Sequence, residues 1–243
     1  MSQPRNDGTY APRSALLANP RRHIEAVDRA LRATYGTPIL RPDHDPLGGL
    51  IATILSQSTS DTNSERAYAS LRARFPSWEA VRAAPSEDIA DAIRSGGLAR
   101  SKSARIKDIL DTLVERYGAL SLERLSAMSI PEARAELSSL HGVGAKTASC
   151  VLLFNLGKPA FPVDTHVHRL SRRIGFAAPR ATPARVQDLV EASLAPARRY
   201  AFHINLIRHG RGICKAQRPR CDDCPIRQIC RFGMALPLDG DQR

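Results

Sequence analysis

Residues 140–170 read LHGVGAKTASCVLLFNLGKPAFPVDTHVHRL, from Leu140 to Leu170. The stretch opens on a glycine turn, Gly142-Val143-Gly144, preceded by the helical pattern of Pro131–Leu140 and followed by the apolar run Ala145–Leu156. This is helix, tight turn, helix over residues 131–156. Glycine allows positive φ and close backbone approach. The second helix begins at the turn, so its free N–H groups point outward as an anion site suited to a phosphate. A plain helix-loop-helix turn would carry the same letters.

Lys146 falls in the first turn of the second helix. A cation there opposes the helix dipole, and partial burial would lower its pKa further. Both favour the free amine, the form that attacks a sugar carbon. The same lysine could instead pair with a phosphate and do no chemistry. Asp164 precedes the next helix, Thr165-His166-Val167-His168. An aspartate there is first of all an N-cap. It could also stabilise the positive charge that builds on a sugar as an N-glycosidic bond breaks, and help deprotonate the attacking amine.

Working outward, the 243 residues carry a net charge of +12 and a pI of about 10.2. That balance points to a polyanionic partner, nucleic acid first. Of 36 basic residues only 5 are lysines, Lys102, Lys107, Lys146, Lys158 and Lys215, so candidate amine nucleophiles are few. The N-terminus has no apolar core and is no secretory signal. No apolar run reaches membrane-spanning length. A cytoplasmic, nucleoid-associated location is expected, and there clustered cysteines favour a metal over disulfides.

The rest reads as helices punctuated by caps: Asn19-Pro20, Asp45-Pro46, Asp61, Ser77, Ser86 and Thr182-Pro183. No segment alternates as a strand does, so the chain is expected to be all-α with about ten helices. Residues 1–18 form a polar extension expected to be disordered, and 231–243 a C-terminal tail.

Cys214, Cys221, Cys224 and Cys230 are spaced C-x6-C-x2-C-x5-C, four thiolates within 17 residues. An all-cysteine set suits tetrahedral zinc or a [4Fe–4S] cluster, and general chemistry does not choose between them. Arg211, Lys215, Arg218, Arg220 and Arg227 surround them and could touch phosphate. Cys150, on the apolar hairpin helix, reads as a buried inert residue.

The hairpin LHGVGAKTA, the following VDTH and the cysteine spacing together resemble endonuclease III, the helix-hairpin-helix DNA glycosylase with AP lyase activity. The resemblance covers roughly Asn19 to Cys230. It implies two helical domains flanking a DNA-binding cleft. A six-helix barrel over 39–158 would hold the hairpin, and 19–38 with 159–230 would form an iron–sulfur domain. It implies [4Fe–4S] rather than zinc, with the four cysteines as ligands. Lys146 becomes the Schiff-base nucleophile and Asp164 the catalytic carboxylate. The substrate would be duplex DNA with oxidised pyrimidines or abasic sites, bound by a monomer.

Other positions follow by match. Leu55-Ser56-Gln57-Ser58-Thr59-Ser60-Asp61 resembles the segment that fills the gap left by the flipped base, with Gln57 and Ser58 competing for the inserting position. Gly97-Leu98-Ala99-Arg100-Ser101-Lys102 resembles the loop that wedges an apolar side chain into the duplex, here Leu98. Gly142, Val143, Gly144, Arg100 and His166 join these on the DNA side. His141 departs from the family's proline, and the glutamine segment also differs. Two alternatives stand beside the bifunctional reading. One is a monofunctional glycosylase of the same fold, against which Lys146 argues because water needs no lysine. The other is a non-catalytic DNA-binding protein with a structural metal.

Overall fold

A computed structural model describes residues 18–236. The expected N-terminal extension up to residue 17, and the tail beyond residue 236, lie outside the described residues. Twelve α-helices and no strand occur among the described residues. The chain divides into two compact units. One is Leu40–Pro162, and the other combines residues up to 39 with those from 163 onward.

Leu40–Pro162 is organised around α2 (Pro46–Leu55). Its sequence, PLGGLIATIL, is apolar on every side, which suits a helix surrounded by others. Leu50, Ile51, Ile54 and Leu55 are fully buried. Asp45 starts it as expected, accepting from the Gly48 amide at 2.8 Å. Around it lie α3 (Asp61–Arg74), α6 (Ala99–Tyr117) and α8 (Ala145–Cys150). Two short helices, α4 (Trp78–Ala83) and α5 (Ser86–Ala92), complete this side with α7 (Ile130–Ser138). Ile106, Ile109, Leu110 and Leu113 give α6 its buried stripe.

Several caps differ from expectation. Ser60, not Asp61, caps α3, accepting from the Asn63 amide at 3.3 Å; Ser60 is extended while Asp61 is already helical. Ser86 is likewise inside α5, whose N-cap is Pro85 with no side-chain bond. Helix α7 starts earlier than Pro131, because Ser129 and Glu132 form a reciprocal capping box. The hairpin's second helix does not continue as α to Leu156. Residues Val151–Asn155 form a π turn, closed by the Leu156 amide on Val151 O at 3.2 Å. The wider turn presents Asn155 to Asp43, and its amide donates to both carboxylate oxygens at 2.9 and 3.0 Å.

The other unit holds α1 (Pro20–Tyr35), α9 (Thr165–Ile174), α10 (Pro183–Ser193), α11 (Pro196–Gly212) and the short α12 (Arg231–Met234). Ile24, Val27 and Leu31 face α1 inward against α10 and α11. The fully buried Asp28 pairs with Arg32 on its own helix and with Arg198 of α11. The Asn205 amide holds Gly36 O at 2.9 Å, where α1 ends. These bonds tie the N-terminal helix to a unit otherwise built from the last third of the chain.

Candidate functional site

The hairpin forms as the sequence suggests, with a division of labour between its glycines. Gly142 has φ +76°, and a Cβ there would meet the Arg105 side chain at 2.3 Å. Gly144 does not use positive φ: at −90° it is the extended N-cap of α8. No side chain caps that helix, so its first N–H groups lack a protein partner. Val143 turns inward. Its side chain is buried and its amide is spent on Leu140 O at 3.1 Å. Van der Waals contacts thus anchor the turn in the core.

Lys146 stands in the first turn of α8 and is exposed. The partial burial expected of it is absent, because α8 turns Thr147, Ala148 and Cys150 inward instead. The buried lysine of this unit is Lys102, 2% exposed. Burial, then the nearby Arg105, holds its pKa below the ordinary lysine range. Its Nζ donates to Leu55 O at 2.7 Å and to Gly96 O at 2.8 Å.

The two loops expected at the duplex share an unusual backbone. Ser58 (φ 55°) and Leu98 (φ 51°) are non-glycine residues in the left-handed region, which costs about 1–2 kcal/mol per residue. Leu98 is 63% exposed and precedes α6. Arg100, two residues on, is exposed. Gln57 and Ser58 part company. The Gln57 amide accepts from Arg105 at 2.7 Å and donates to Thr147 at 3.3 Å, whereas Ser58 is exposed. Sequence reasoning named Lys102 only as one of five amines and as the end of the wedge loop, and it missed Arg105 and Thr147. Their only local signal was a polar residue on an otherwise apolar helix face.

In the other unit Asp164 caps α9, accepting from the Val167 amide at 2.7 Å. His166, the second residue of α9, accepts from Arg169 at 3.1 Å and packs against Gly210. Lys146 and Asp164 belong to different units, and each is placed here within its own.

Cys214, Cys221, Cys224 and Cys230 are all free thiols. Burial pushes the Cys224 thiol up to about 11, and Cys230, Cys214 and Cys221 push it the same way. Arg173 donates to Cys214 Sγ at 3.6 Å, the Gly233 amide donates to Cys230 Sγ at 3.3 Å, and His209 Nε2 lies 3.6 Å from Cys224 Sγ. Such donors suit thiolates. Among the described residues no three ligand-type side chains stand where they could hold one metal ion. A zinc needs its sulfurs about 2.3 Å from a single point, while a cubane offers one iron to each thiolate around a wider ring. Four thiolates are a donor set that a [4Fe–4S] cluster accepts, one to each iron. Arg227 is not available to phosphate: it is buried and pairs with Asp222 and Leu236 O. Arg220 is exposed and donates to Gly212 O at 3.0 Å. Cys150 is buried, as its place on α8 suggested.

A family model for the HhH-GPD superfamily of base excision DNA repair proteins matches residues 51–196, hairpin and Asp164 included. The chain belongs to that superfamily. A second model, the iron–sulfur binding domain of endonuclease III, matches residues 214–230. The cofactor is a [4Fe–4S] cluster. Endonuclease III of Thermotoga maritima is 37% identical over 188 residues, covering 77% of this chain and 84% of that one. An Arabidopsis thaliana protein with the provisional name of DNA glycosylase is 40% identical over 190 residues, covering 74% and 64%. The chain thus spans just under two thirds of the plant relative and most of the bacterial one. A solved structure of endonuclease III trapped as a covalent intermediate on DNA superposes with a TM-score of 0.76 at 30% identity, covering 88% of this chain and 97% of that one. Within the superfamily, then, this is a base excision DNA glycosylase of the endonuclease III kind. The all-α expectation holds.

Proposed function

We propose that the protein removes oxidised pyrimidines from duplex DNA and then cleaves the strand at the resulting abasic site. Lys146 Nζ forms a bond to the sugar C1′ as the N-glycosidic bond breaks, and the base leaves with the bonding pair. Asp164 stabilises the cationic sugar and takes the amine's proton. The ring-opened Schiff base loses a proton from C2′, and the C3′–O bond breaks by β-elimination. Hydrolysis then frees the lysine.

The observation that carries this reading is an exposed lysine at the uncapped start of α8, beside the glycine turn. Bound DNA, rather than the protein, would supply the desolvation that the nucleophile needs. The N–H groups of Gly144 and the first turn would hold a phosphate, with Gly142 shaping the approach. Leu98 would wedge the stack open, Ser58 or Gln57 would fill the gap, and Arg100 and His166 would flank them. Cys214, Cys221, Cys224 and Cys230 would hold the cluster. When bound it ties together a segment whose only regular structure is the turn Arg227–Ile229. The protein would act as a monomer, in the cytoplasm at the nucleoid.

Borohydride trapping on abasic-site DNA tests the reading. A covalent adduct is expected for the protein and none for Lys146→Gln. Absence of an adduct with the unaltered protein, together with base release, would establish the monofunctional alternative. Equal trapping by Lys146→Gln would move the nucleophile elsewhere.

A further inference from the structure

Lys102 is the most deeply buried amine of its unit, and the proposed chemistry gives it no task. Its two acceptors are informative. Leu55 O is the last carbonyl of α2, three residues before Ser58. Gly96 O ends the turn Arg94–Gly96, two residues before Leu98. One ammonium therefore bridges the roots of both loops. Each loop then bears an exposed, left-handed, non-glycine residue. Such backbone persists only where its surroundings over-determine it.

The surroundings are tight. A Cβ on Gly96 would meet Ala67 of α3 at 3.1 Å, so this loop root sits directly on the helix that follows the other loop. Ser95 adds a bond to Asn63 O at 3.4 Å, again from one loop to the neighbour of the other. A cation is the suitable bridge. Helix-end carbonyls lack intrahelical partners and carry the negative end of the dipole. An apolar side chain of similar length would fill the space and leave two carbonyls without a donor.

We propose that Lys102 is a positioning residue that locks the two DNA-facing loops to one another, so that Ser58 and Leu98 enter the duplex as one unit. It touches neither base nor sugar. This rests on reading Leu98 as the wedge. Its consequence is specific: loss of the bridge impairs extrusion of a paired base but not attack on a sugar that is already accessible.

The test compares the unaltered protein, Lys102→Met, Leu98→Ala and the double variant. Extrusion is read by the fluorescence rise of 2-aminopurine beside the lesion in duplex DNA. Borohydride trapping on a single-stranded abasic site is the second readout, and thermal melting checks folding. Lys102→Met is expected to slow extrusion more than about tenfold, as misplacement of a positioning group does, and to leave single-stranded trapping within about twofold. In the Leu98→Ala background the same change should cost less than about threefold, because coupled positions are not additive. Lys102→Gln, which keeps one donor group, should fall between, and it substitutes for Lys102→Met if that variant does not fold. Equal loss in both assays, or full additivity with Leu98→Ala, overturns the proposal. Normal extrusion by Leu98→Ala overturns the wedge reading and this proposal with it. Normal extrusion by Lys102→Met, with Leu98→Ala impaired, overturns the Lys102 role alone.

Discussion

Arg105 Nη1 donates to Gln57 Oε1 at 2.7 Å, fixing the glutamine amide against the protein. The amide's nitrogen is then directed to Thr147 on the hairpin helix. Gln57 links the inserting segment, α6 and α8, and Ser58 is left as the exposed residue of the pair.

Arg105→Ala should therefore act on the site through Gln57. A charge-assisted bond of this kind is worth about 1.5–3 kcal/mol, reduced here because the pair is only part-buried. The expected result is a kcat/KM for duplex excision lowered by roughly tenfold, with single-stranded abasic cleavage little changed. Steady-state kinetics on the two substrates checks it. Equal effects on both would show that Gln57 does not serve insertion.

Leu98 combines a strained backbone with an exposed apolar side chain, a pairing that stability alone disfavours. Leu98→Asn should raise stability by about 0.5–1 kcal/mol, since asparagine tolerates the left-handed region and little burial is lost. The same variant should excise more slowly. Denaturant unfolding and single-turnover excision together measure the opposed effects, and a destabilised variant would refute the strain argument.

Gly49 is a packing requirement. A Cβ there would fall 2.1–2.2 Å from the Asn155 side-chain atoms. Gly49→Ala should displace Asn155 from Asp43 and cost about 2–4 kcal/mol from overpacking and lost hydrogen bonds. Calorimetry should show a lower Tm, and an unchanged Tm would mean that the π turn adjusts freely.

His23 supplies a pH signature in the other unit. It is fully buried, donates through Nε2 to Ile229 O at 2.6 Å, and has no partner at Nδ1. Burial, opposed in part by that bond and reinforced by Arg231, holds its pKa below 6.5. The unfolded chain thus takes up a proton below about pH 6.5 that the folded chain resists. Stability should fall as pH drops from near 6.5 towards the lowered value. His23→Gln should flatten that limb in urea titrations at pH 5 to 7, and an unaltered slope would assign it to other groups.

Replacing Cys224 by alanine should abolish the iron and the visible absorbance of the purified protein, because one of four thiolates is lost. Iron analysis checks it. Full retention of iron by that variant would remove Cys224 from the ligand set.

Much of the candidate site was legible from the sequence, but not its inner supports. Lys146 was found by its place after a glycine turn, a purely local pattern. Its exposure was not legible, because which face of α8 turns inward depends on α2 and α7. The reverse holds for Lys102. As a letter it is one of 5 lysines. Its acceptors are 47 and 6 residues away, and no local pattern announces them.

The sequence by itself determined the helices, the hairpin and the cysteine set. Asn19, Asp45, Ser77, Asp164 and Thr182 each accept from an amide three residues on, a geometry complete within one turn. Only the tertiary structure decided how those parts are used. It buried Val143 and Arg227, exposed Lys146, separated Gln57 from Ser58 and joined two loop roots through Lys102. Caps and turns are settled by bonds between near neighbours. Burial, and the left-handed strain that burial and distant hydrogen bonds sustain, are settled by residues far apart in the chain.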